Sequence, residues 1–231
     1  MQKIIVGIDE AGRGPLAGPV VAAAFTVLNP KFEYRNSKHV SGFVLGASNL
    51  QLRDSKLLSP KQRELIYEEL CRNPDLEWGI GQVSEKQIDK INILQATRLA
   101  MKRAFWSLHR NLQRKLSKNS NIIKSSYSRK ILYKYYDELV IVDGNILLDL
   151  PVAQKAVVKA DATIFPCMAA SIIAKVTRDH LMLKLHKKYP LYGFDRHKGY
   201  GTTFHLQALE KYGTSPIHRR SFSPIRQLTN F

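Results

Sequence analysis

Near the start of the chain lies the sequence Ile4-Ile5-Val6-Gly7-Ile8-Asp9-Glu10-Ala11-Gly12-Arg13-Gly14, which has the form of an apolar strand ending in two carboxylates. Acids at the end of a buried strand are costly unless something neutralises them, and divalent metal ions are the usual partners of such oxygen ligands. The glycines allow the backbone to come close to a ligand, and Arg13 can meet a phosphate. Taken alone, the segment also fits a strand that simply ends in a polar turn.

Two further apolar runs end in an acid. Residues 139–142 lead into Asp143, and residues 156–160 lead into Asp161. Ligands gather at the carboxyl ends of neighbouring parallel strands, so we expect Asp9, Glu10, Asp143 and Asp161 to converge. Oxygen ligands without nearby histidine or thiolate favour Mg²⁺ or Mn²⁺ over zinc.

Asp179 is the alternative to Asp161 as the fourth metal-binding acid. It follows Arg178 inside a predicted helix, where a structural salt bridge or a cap is the simpler interpretation. We favour Asp161 because it is predicted to end a strand.

The pattern along the chain alternates strands with helices, which indicates an α/β domain with a mixed sheet. Helix-capping signals precede Pro60 and Glu85, and Gly213 is a stop signal. The predicted strands are 3–9, 19–27 and 76–83. The predicted helices are 60–71, a short one opened by Ser84, 92–112, 168–188 and 202–212.

The composition is strongly basic. The 231 residues include 36 Lys or Arg against 19 Asp or Glu, a formal net charge of +17, and nucleic acid is the natural partner of such a positive electrostatic field.

We expect one monomeric domain over residues 1–231. The sequence has no apolar run of membrane-spanning length and no signal-peptide pattern, which predicts a cytoplasmic protein with no membrane partner. Cys71 and Cys167 form no C-x-x-C pair, and we expect both to be buried free thiols.

The stretch from Ile8 to Val20 resembles the signature of the type 2 ribonucleases H, specifically the bacterial ribonuclease HII family. Further blocks match that family in order: Asp54-Ser55-Lys56-Leu57, residues 92–97, residues 142–145, residues 159–161, residues 169–179, residues 199–202 and residues 218–222. The resemblance implies a ribonuclease H-like fold with a mixed central sheet flanked by helices, and a helical, substrate-binding C-terminal portion over residues 190–231. Residues 182–231 hold nine Lys or Arg and two acids, which suits contact with nucleic acid.

The resemblance also implies an activity. It is metal-dependent hydrolysis of the RNA strand of RNA–DNA hybrids, and nicking on the 5′ side of single ribonucleotides in duplex DNA, as used in ribonucleotide excision and RNA primer removal. The resemblance implies that Asp9, Glu10, Asp143 and Asp161 hold two metal ions. Phosphodiester hydrolysis at this site would leave 5′-phosphate and 3′-hydroxyl ends.

Substrate recognition is implied for a second group of residues. Gly12, Arg13, Gly14 and Tyr200 would read the 2′-hydroxyl, the group that separates RNA from DNA at one nucleotide, and Lys56 would meet a phosphate. By sequence alone a plain turn tyrosine is the favoured interpretation of Tyr200. Weaker candidates for backbone contacts, each as easily a solvated surface charge, are Lys175, Arg178, His197, Lys198, Arg219 and Arg220.

Two segments depart from the compact bacterial pattern: residues 28–53 form a longer link, and residues 111–135 an insertion. Residues 107–136 carry eight Lys or Arg and no acid, and they form either a solvated flexible loop or an added clamp on the duplex.

The tail Gln227-Leu228-Thr229-Asn230-Phe231 resembles the short peptides that dock on bacterial sliding clamps, although Leu228 and Phe231 could instead pack on the domain.

Two other functions stay open on the residues alone. One is a different two-metal nuclease of the same broad fold, such as a junction resolvase, which would share the acids but not need the 2′-hydroxyl. The other is a basic RNA-binding protein, which would need no acid cluster and would be insensitive to chelation of metal.

Overall fold

The computed structural model describes residues 2–29, 34–36, 43–45, 50–52, 55, 57–119 and 136–229. Its main sheet has five strands: β1 (Gln2–Ala11), β2 (Val20–Val27), β6 (Leu76–Val83), β7 (Tyr136–Asp143) and β8 (Ala153–Val157). Three short strands form a separate antiparallel sheet: β3 (Tyr34–Asn36), β4 (Phe43–Leu45) and β5 (Leu50–Leu52).

The main sheet is mixed, as the sequence predicts, with strand order β6-β2-β1-β7-β8. β1 pairs antiparallel with β2 and parallel with β7, and β8 continues the parallel half. In the β1–β7 register Ile8 lies opposite Val142, which brings the next residues of the two strands, Asp9 and Asp143, to the same edge of the sheet. The carboxyl ends of the parallel strands therefore form the edge on which a site can be built.

The helices follow the capping signals. They are α1 (Pro60–Arg72), α2 (Glu85–Asn119), α3 (Ala160–Thr163), α4 (Phe165–Lys188), α5 (Phe194–His197), α6 (Thr203–Tyr212) and α7 (Ile225–Thr229). Ser59 and Gln62 form the predicted capping box at the start of α1, with Pro60 as the first helical residue.

α2 is interrupted where the sequence predicts two helices to meet. Asn92 has a φ of 63°, outside the helical region, and its side chain accepts a hydrogen bond from the backbone N–H of Gln95. The helix then continues to Asn119, beyond the predicted end near Leu112. Lys115 accounts for part of this extension, because its ammonium pairs with Glu77 at 2.8 Å on the neighbouring strand β6.

Each face of the sheet is covered by helices. α2 packs on one face through residues such as Met101, Phe105 and Leu108, while α1 and α4 pack on the other through residues such as Ile66 and Met168. A further apolar cluster joins the C-terminal helices to the loop after β1. Its buried members are Leu16, Ala17, Met182, Tyr192, Phe194, Ala208, Leu209, Ile217 and Ile225.

Several expectations need correction. The link over residues 28–53, for which the sequence predicted no element, contains the three short strands β3–β5. The insertion predicted at residue 111 begins as helix, and its remaining residues, 120–135, lie outside the described part of the chain. Cys167 is buried as expected, but Cys71 is exposed because it lies on the outer side of α1, opposite the buried Ile66 and Leu70. Among the described residues, no helix combines the length and apolar character needed to cross a membrane.

Candidate active site

Three carboxylates meet at the edge of the sheet. Asp9, Asp143 and Asp161 each offer an oxygen atom, and these atoms lie within 4.8 Å of one another. Asp9 and Asp161 are buried, and Asp143 is partly exposed. The convergence follows from topology, because the parallel pairing of β1 and β7 places Asp9 and Asp143 at one level of adjacent strands.

Asp161 reaches this group from a helix rather than from a strand end, which corrects the sequence expectation. β8 stops at Val157, Lys159 takes a left-handed conformation with φ 60°, and Asp161 lies in the first turn of α3. Asp143 stabilises this turn, because its Oδ1 accepts a hydrogen bond from the N–H of Ala160 at 2.6 Å. One acid of the group thus fixes the backbone that carries another.

Glu10 stands beside the three acids but is not one of them. Its Oε1 lies 3.2 Å from Nη1 of Arg13, which is half exposed. Successive residues of a strand point to opposite faces, yet the Glu10 side chain at the end of β1 still reaches that of Asp9. It nevertheless lines the same cleft as the three acids. The pair with Glu10 also means that Arg13 faces a carboxylate here.

The electrostatics of the group disfavour full ionisation in the absence of a cation. Burial raises the pKa of Asp9 well above its ordinary value, and the nearby Glu10, Asp143 and Asp161 raise it further. Burial also raises the pKa of Glu10, against the lowering effect of Arg13. The pKa of the Cys167 thiol is raised by burial and by Asp9, so this thiol stays protonated. Buried like charges of this kind call for a positive partner.

The donor set fits a hard divalent cation. The three acids supply oxygen atoms only. Cys167, the described cysteine nearest to them, is protonated and donates to the carbonyl oxygen of Ile141. Oxygen-only donors with partial exposure to a cleft suit Mg²⁺ or Mn²⁺.

The acids open into a cleft of about 290 Å³. The Gly12-Arg13-Gly14 turn and Tyr200 both line it, and Tyr200 is 45% exposed. A Cβ atom added to Gly14 would lie 3.7 Å from Cε1 of the Tyr200 ring, so the backbone of Gly14 faces the ring directly. Gly12 has a φ of +95°, and an added Cβ would lie 2.0 Å from the Arg178 side chain. A side chain at Gly12 would therefore both strain the backbone and displace Arg178.

Two arginines have a role that the sequence did not suggest. Arg178 and Arg219 are both buried, so neither is the solvated charge or the nucleic-acid contact considered for them. Arg178 donates to the carbonyl oxygens of Ala17, Pro19 and Lys198. Arg219 donates to those of Gly12, Arg13 and Gly18. Together they hold the loop after β1 by its carbonyl groups, which leaves the inner side of the Gly12–Gly14 turn to the cleft.

Two residues that line the cleft, Ser171 and Arg63, were not among the candidates from the sequence. Ser171 lines the cleft and shares a 2.8 Å hydrogen bond with Ser55; its one signal in the sequence is a polar residue in the apolar run 168–174. Arg63 also lines the cleft and donates to the carbonyl oxygen of Ser55, with no distinguishing signal in the sequence. Lys56 lies outside the described residues.

The remaining candidates are accounted for by local contacts. Asp179 pairs with Lys175 at 2.8 Å and is not a member of the three-acid group. Lys175 itself lines the cleft, and burial lowers its pKa. Both ring nitrogens of His197 contact backbone groups, Nε2 with the carbonyl oxygen of Tyr192 and Nδ1 with the N–H of Gly199.

Comparison with known proteins places the chain among nucleases. The family model for Ribonuclease HII matches residues 6–225. A Ribonuclease HII of Chlamydia pneumoniae is 43% identical over 226 residues, covering 98% of this chain and 86% of the relative. Among solved structures, the ribonuclease H2 of Pyrococcus horikoshii OT3 has a TM-score of 0.61 and 27% identity, with 98% of this chain and 97% of the other covered. The ribonuclease HII of Archaeoglobus fulgidus, solved in complex with PCNA, has a TM-score of 0.60 at 22% identity, with 95% of each chain covered, and shares the fold.

Proposed function

This chain belongs to the ribonuclease HII family, and from that premise we propose that it nicks duplex DNA on the 5′ side of single ribonucleotides, with two bound metal ions. The broader activity follows from the family: the chain is a metal-dependent ribonuclease H-type endonuclease that acts on RNA–DNA hybrids and yields 5′-phosphate products. This membership excludes the junction resolvase and the RNA-binding protein considered above.

One juxtaposition carries the finer proposal. A group of three carboxylates shares a single cleft with the exposed backbone of Gly14 and the ring of Tyr200. A cleavage centre and a surface able to examine one sugar thus lie side by side. A surface that examines one sugar supports action on a single ribonucleotide, because the 2′-hydroxyl distinguishes RNA from DNA at one site.

The acids are proposed to hold Mg²⁺ or Mn²⁺, with Asp9, Asp143 and Asp161 as the main ligands and Glu10 as the fourth. The bound metal would polarise the scissile phosphate and lower the pKa of the attacking water. Asp9 must lose its proton for this, and the cation itself supplies the charge that makes ionisation favourable. Asp143 additionally keeps Asp161 in place through its hydrogen bond to Ala160.

Ribose recognition is proposed for the two walls of the cleft. The exposed backbone of Gly14 would come close to the sugar because this residue has no side chain in the way, whereas the missing side chain of Gly12 makes room for Arg178. The Tyr200 ring would pack under the ribose, with its hydroxyl close to the 2′-oxygen. A deoxyribose lacks the oxygen that these groups read, so it would be bound without the alignment that hydrolysis requires.

A panel of substrates tests the proposal. The protein is incubated with a duplex that carries one ribonucleotide, an all-DNA duplex and an RNA–DNA hybrid, with Mg²⁺, Mn²⁺ or EDTA. We expect cleavage of the first and third with either metal, none with EDTA, and an intact all-DNA duplex. Tyr200→Ala should lose at least tenfold in kcat/KM on the single-ribonucleotide duplex. Cleavage of the hybrid alone would contradict the single-ribonucleotide proposal and leave the family activity in place.

The C-terminal tail is proposed to dock on a sliding clamp. Ile225, at the start of α7, is buried, whereas the following Gln227 and Leu228 are exposed, so the first part of the clamp-like sequence is available to a partner. Asn230 and Phe231 lie outside the described residues. The Archaeoglobus fulgidus protein, solved in complex with PCNA, gives precedent for a protein partner in this fold.

A further inference from the structure

We propose that His205 and His218 are positioning residues that hold Tyr200 against the Gly12–Gly14 turn through a directed chain of hydrogen bonds, formed when both imidazoles are neutral. The inference rests on the ribose-reading role proposed above for Tyr200. Neither histidine lies on the cleft, and both are buried behind it, so they would act through Tyr200 and not on the substrate.

The chain of hydrogen bonds runs between two backbone groups. The N–H of Ser215 donates to Nδ1 of His218 at 2.8 Å. The Nε2 atoms of His218 and His205 lie 2.9 Å apart. Nδ1 of His205 lies 2.9 Å from the carbonyl oxygen of Tyr200. Each link has the length of an ordinary hydrogen bond.

The two ends of the chain determine where each proton lies. Nδ1 of His218 lies 2.8 Å from the N–H and 2.8 Å from the hydroxyl of Ser215, and 3.3 Å from the Ser215 carbonyl oxygen. A backbone N–H can only donate and a hydroxyl can donate as well, so Nδ1 of His218 is an acceptor and the proton of this ring is on Nε2. Nε2 of His205 must then accept, which leaves the His205 proton on Nδ1, where it donates to the Tyr200 carbonyl oxygen. The rings therefore have opposite tautomers. A second proton on either ring would set two donors against each other or a donor against the Ser215 N–H.

The chain connects the two walls of the cleft. The segment that carries His218 runs beside the loop after β1: Ala17 and His218 form a β-bridge, and the N–H of Arg219 donates to the carbonyl oxygen of Leu16. The same loop carries the Gly12–Gly14 turn. His218 is therefore attached to the loop of the glycine turn, while His205 is hydrogen-bonded to the backbone of Tyr200.

His197 supports the segment that carries Tyr200 through a second set of contacts. Its Nδ1 accepts from the N–H of Gly199, the residue before Tyr200, and its ring stacks on His205 with centroids 4.5 Å apart. The N–H of Leu16 also donates to the carbonyl oxygen of Gly199 at 2.8 Å. The His197 ring thus holds the N–H of Gly199, Leu16 holds the Gly199 carbonyl oxygen and His205 holds that of Tyr200, which limits where the exposed ring can point.

Two amide substitutions at His205 distinguish its hydrogen bond to Tyr200 from its hydrogen bond to His218. In His205→Gln the amide lies near the former Nε2 and loses the donor to Tyr200, whereas in His205→Asn the amide nitrogen lies near the former Nδ1 and keeps it. We expect His205→Gln to lose about tenfold in kcat/KM on the single-ribonucleotide duplex, and His205→Asn to recover most of that loss. Equal losses in the two variants would overturn the proposal.

A double-mutant cycle with Tyr200→Ala tests whether the effect passes through Tyr200. His205→Gln should cost little more once the ring is gone. The matched control is His109→Gln, since His109 is also a buried histidine in a hydrogen-bonded pair, with Glu138 at 3.1 Å, on the α2 side of the sheet. It should lower the melting temperature but act additively with Tyr200→Ala. Additive behaviour of His205→Gln would show a general structural role and contradict the proposal.

A spectroscopic measurement on the wild-type protein is independent of variant folding. Long-range ¹H–¹⁵N spectra at pH 7 should show the Nδ1–H tautomer for His205 and the Nε2–H tautomer for His218. The same tautomer on both rings, or an imidazolium on either, overturns the chain. If Tyr200→Ala cleaves normally, the ribose-reading proposal fails, and the spectra still decide whether the hydrogen-bond chain exists.

Discussion

The guanidinium of Arg219 donates from Nη2 to the carbonyl oxygen of Gly12 at 2.6 Å, across 207 positions of the sequence. The same side chain also donates to the carbonyl oxygens of Arg13 and Gly18. Arg219 thus fixes the turn next to the group of three acids. The turn is held by its carbonyl groups, which keeps its inner side free of side chains.

Arg219→Lys tests this anchoring. Lysine keeps the charge but cannot present donors in three fixed directions, so we expect kcat/KM on the single-ribonucleotide duplex to fall at least tenfold and stability to fall by about 2 kcal/mol. The measurements are steady-state cleavage and thermal melting. Arg72→Lys is the matched control, because Arg72 is exposed and pairs with Glu68 away from the cleft. Wild-type activity in Arg219→Lys would refute the anchoring role.

The carboxylates are tested by Asp9→Asn, Asp143→Asn and Asp161→Asn. Each variant should abolish cleavage and keep the fold. The melting temperature of metal-free Asp9→Asn should rise by about 2–4 °C, because the variant removes a buried charge that the other acids repel. Asp179→Asn serves as the control, since Asp179 pairs with Lys175 outside the group. Full activity in Asp161→Asn would remove that residue from the metal site.

Acidification should destabilise the protein through His205 and His218, the two histidines of the hydrogen-bond chain. Burial, with a contribution from a neighbouring imidazole, lowers the pKa of His205 and of His218 to about 4, against an ordinary value of 6.5. Between these values the unfolded chain binds more protons, so their stabilising contribution is complete above about pH 6.5 and is lost as the pH falls toward 4. His197, whose pKa is also lowered mainly by burial, adds to this trend.

Thermal melts between pH 7.5 and 4.5 measure the effect on metal-free protein. Asp9 acts in the opposite direction, because its raised pKa makes protonation favourable in the folded state. The comparison is therefore between wild type and the His205→Asn/His218→Asn double variant, which should show a shallower loss of melting temperature on acidification. Parallel curves would show that the two histidines do not titrate differently in the folded and unfolded states.

The basic insertion is tested by replacing residues 120–135 with a short Gly/Ser link. Lys115 is kept, because it pairs with Glu77. The segment contains Lys124, Arg129, Lys130 and Lys134, and removing a side chain that binds a phosphate should reduce the salt slope of duplex binding by about 0.9. A clamp on the backbone predicts a drop of about two to three units. A scrambled segment with the same charges should keep the slope, and an unchanged slope in the deletion would leave a solvated loop.

Docking through the tail is tested with the sliding clamp from the same source. A peptide of residues 225–231 should bind, a scrambled peptide should not, and protein truncated after Arg226 should lose binding, because Leu228 and Phe231 would be the apolar anchors. Titration calorimetry measures all three. Undiminished binding by the truncated protein would exclude the tail as the docking element.

Much of the fold could be predicted because the local signals agree with the final structure. The mixed sheet, the capping box at Ser59, the interruption at Asn92 and the helix that ends at Tyr212 before Gly213 all come from short-range patterns. The errors arose where tertiary contacts override such patterns. α2 extends past Leu112 with Lys115 anchored on β6, and Asp161 lies in a helical turn that Asp143 caps.

The sequence by itself determined the acids, the glycine turn and the basic charge, because these depend on residue type and on position within a strand or a turn. The tertiary structure alone decided what surrounds them. Arg178 and Arg219 look like surface cations in the sequence, yet both are buried on backbone carbonyl groups. His205 and His218 carry no pattern at all, and their rings meet because the segment after α6 pairs with the loop after β1. A hydrogen bond between distant residues depends on the path of the whole chain, and no local pattern encodes it.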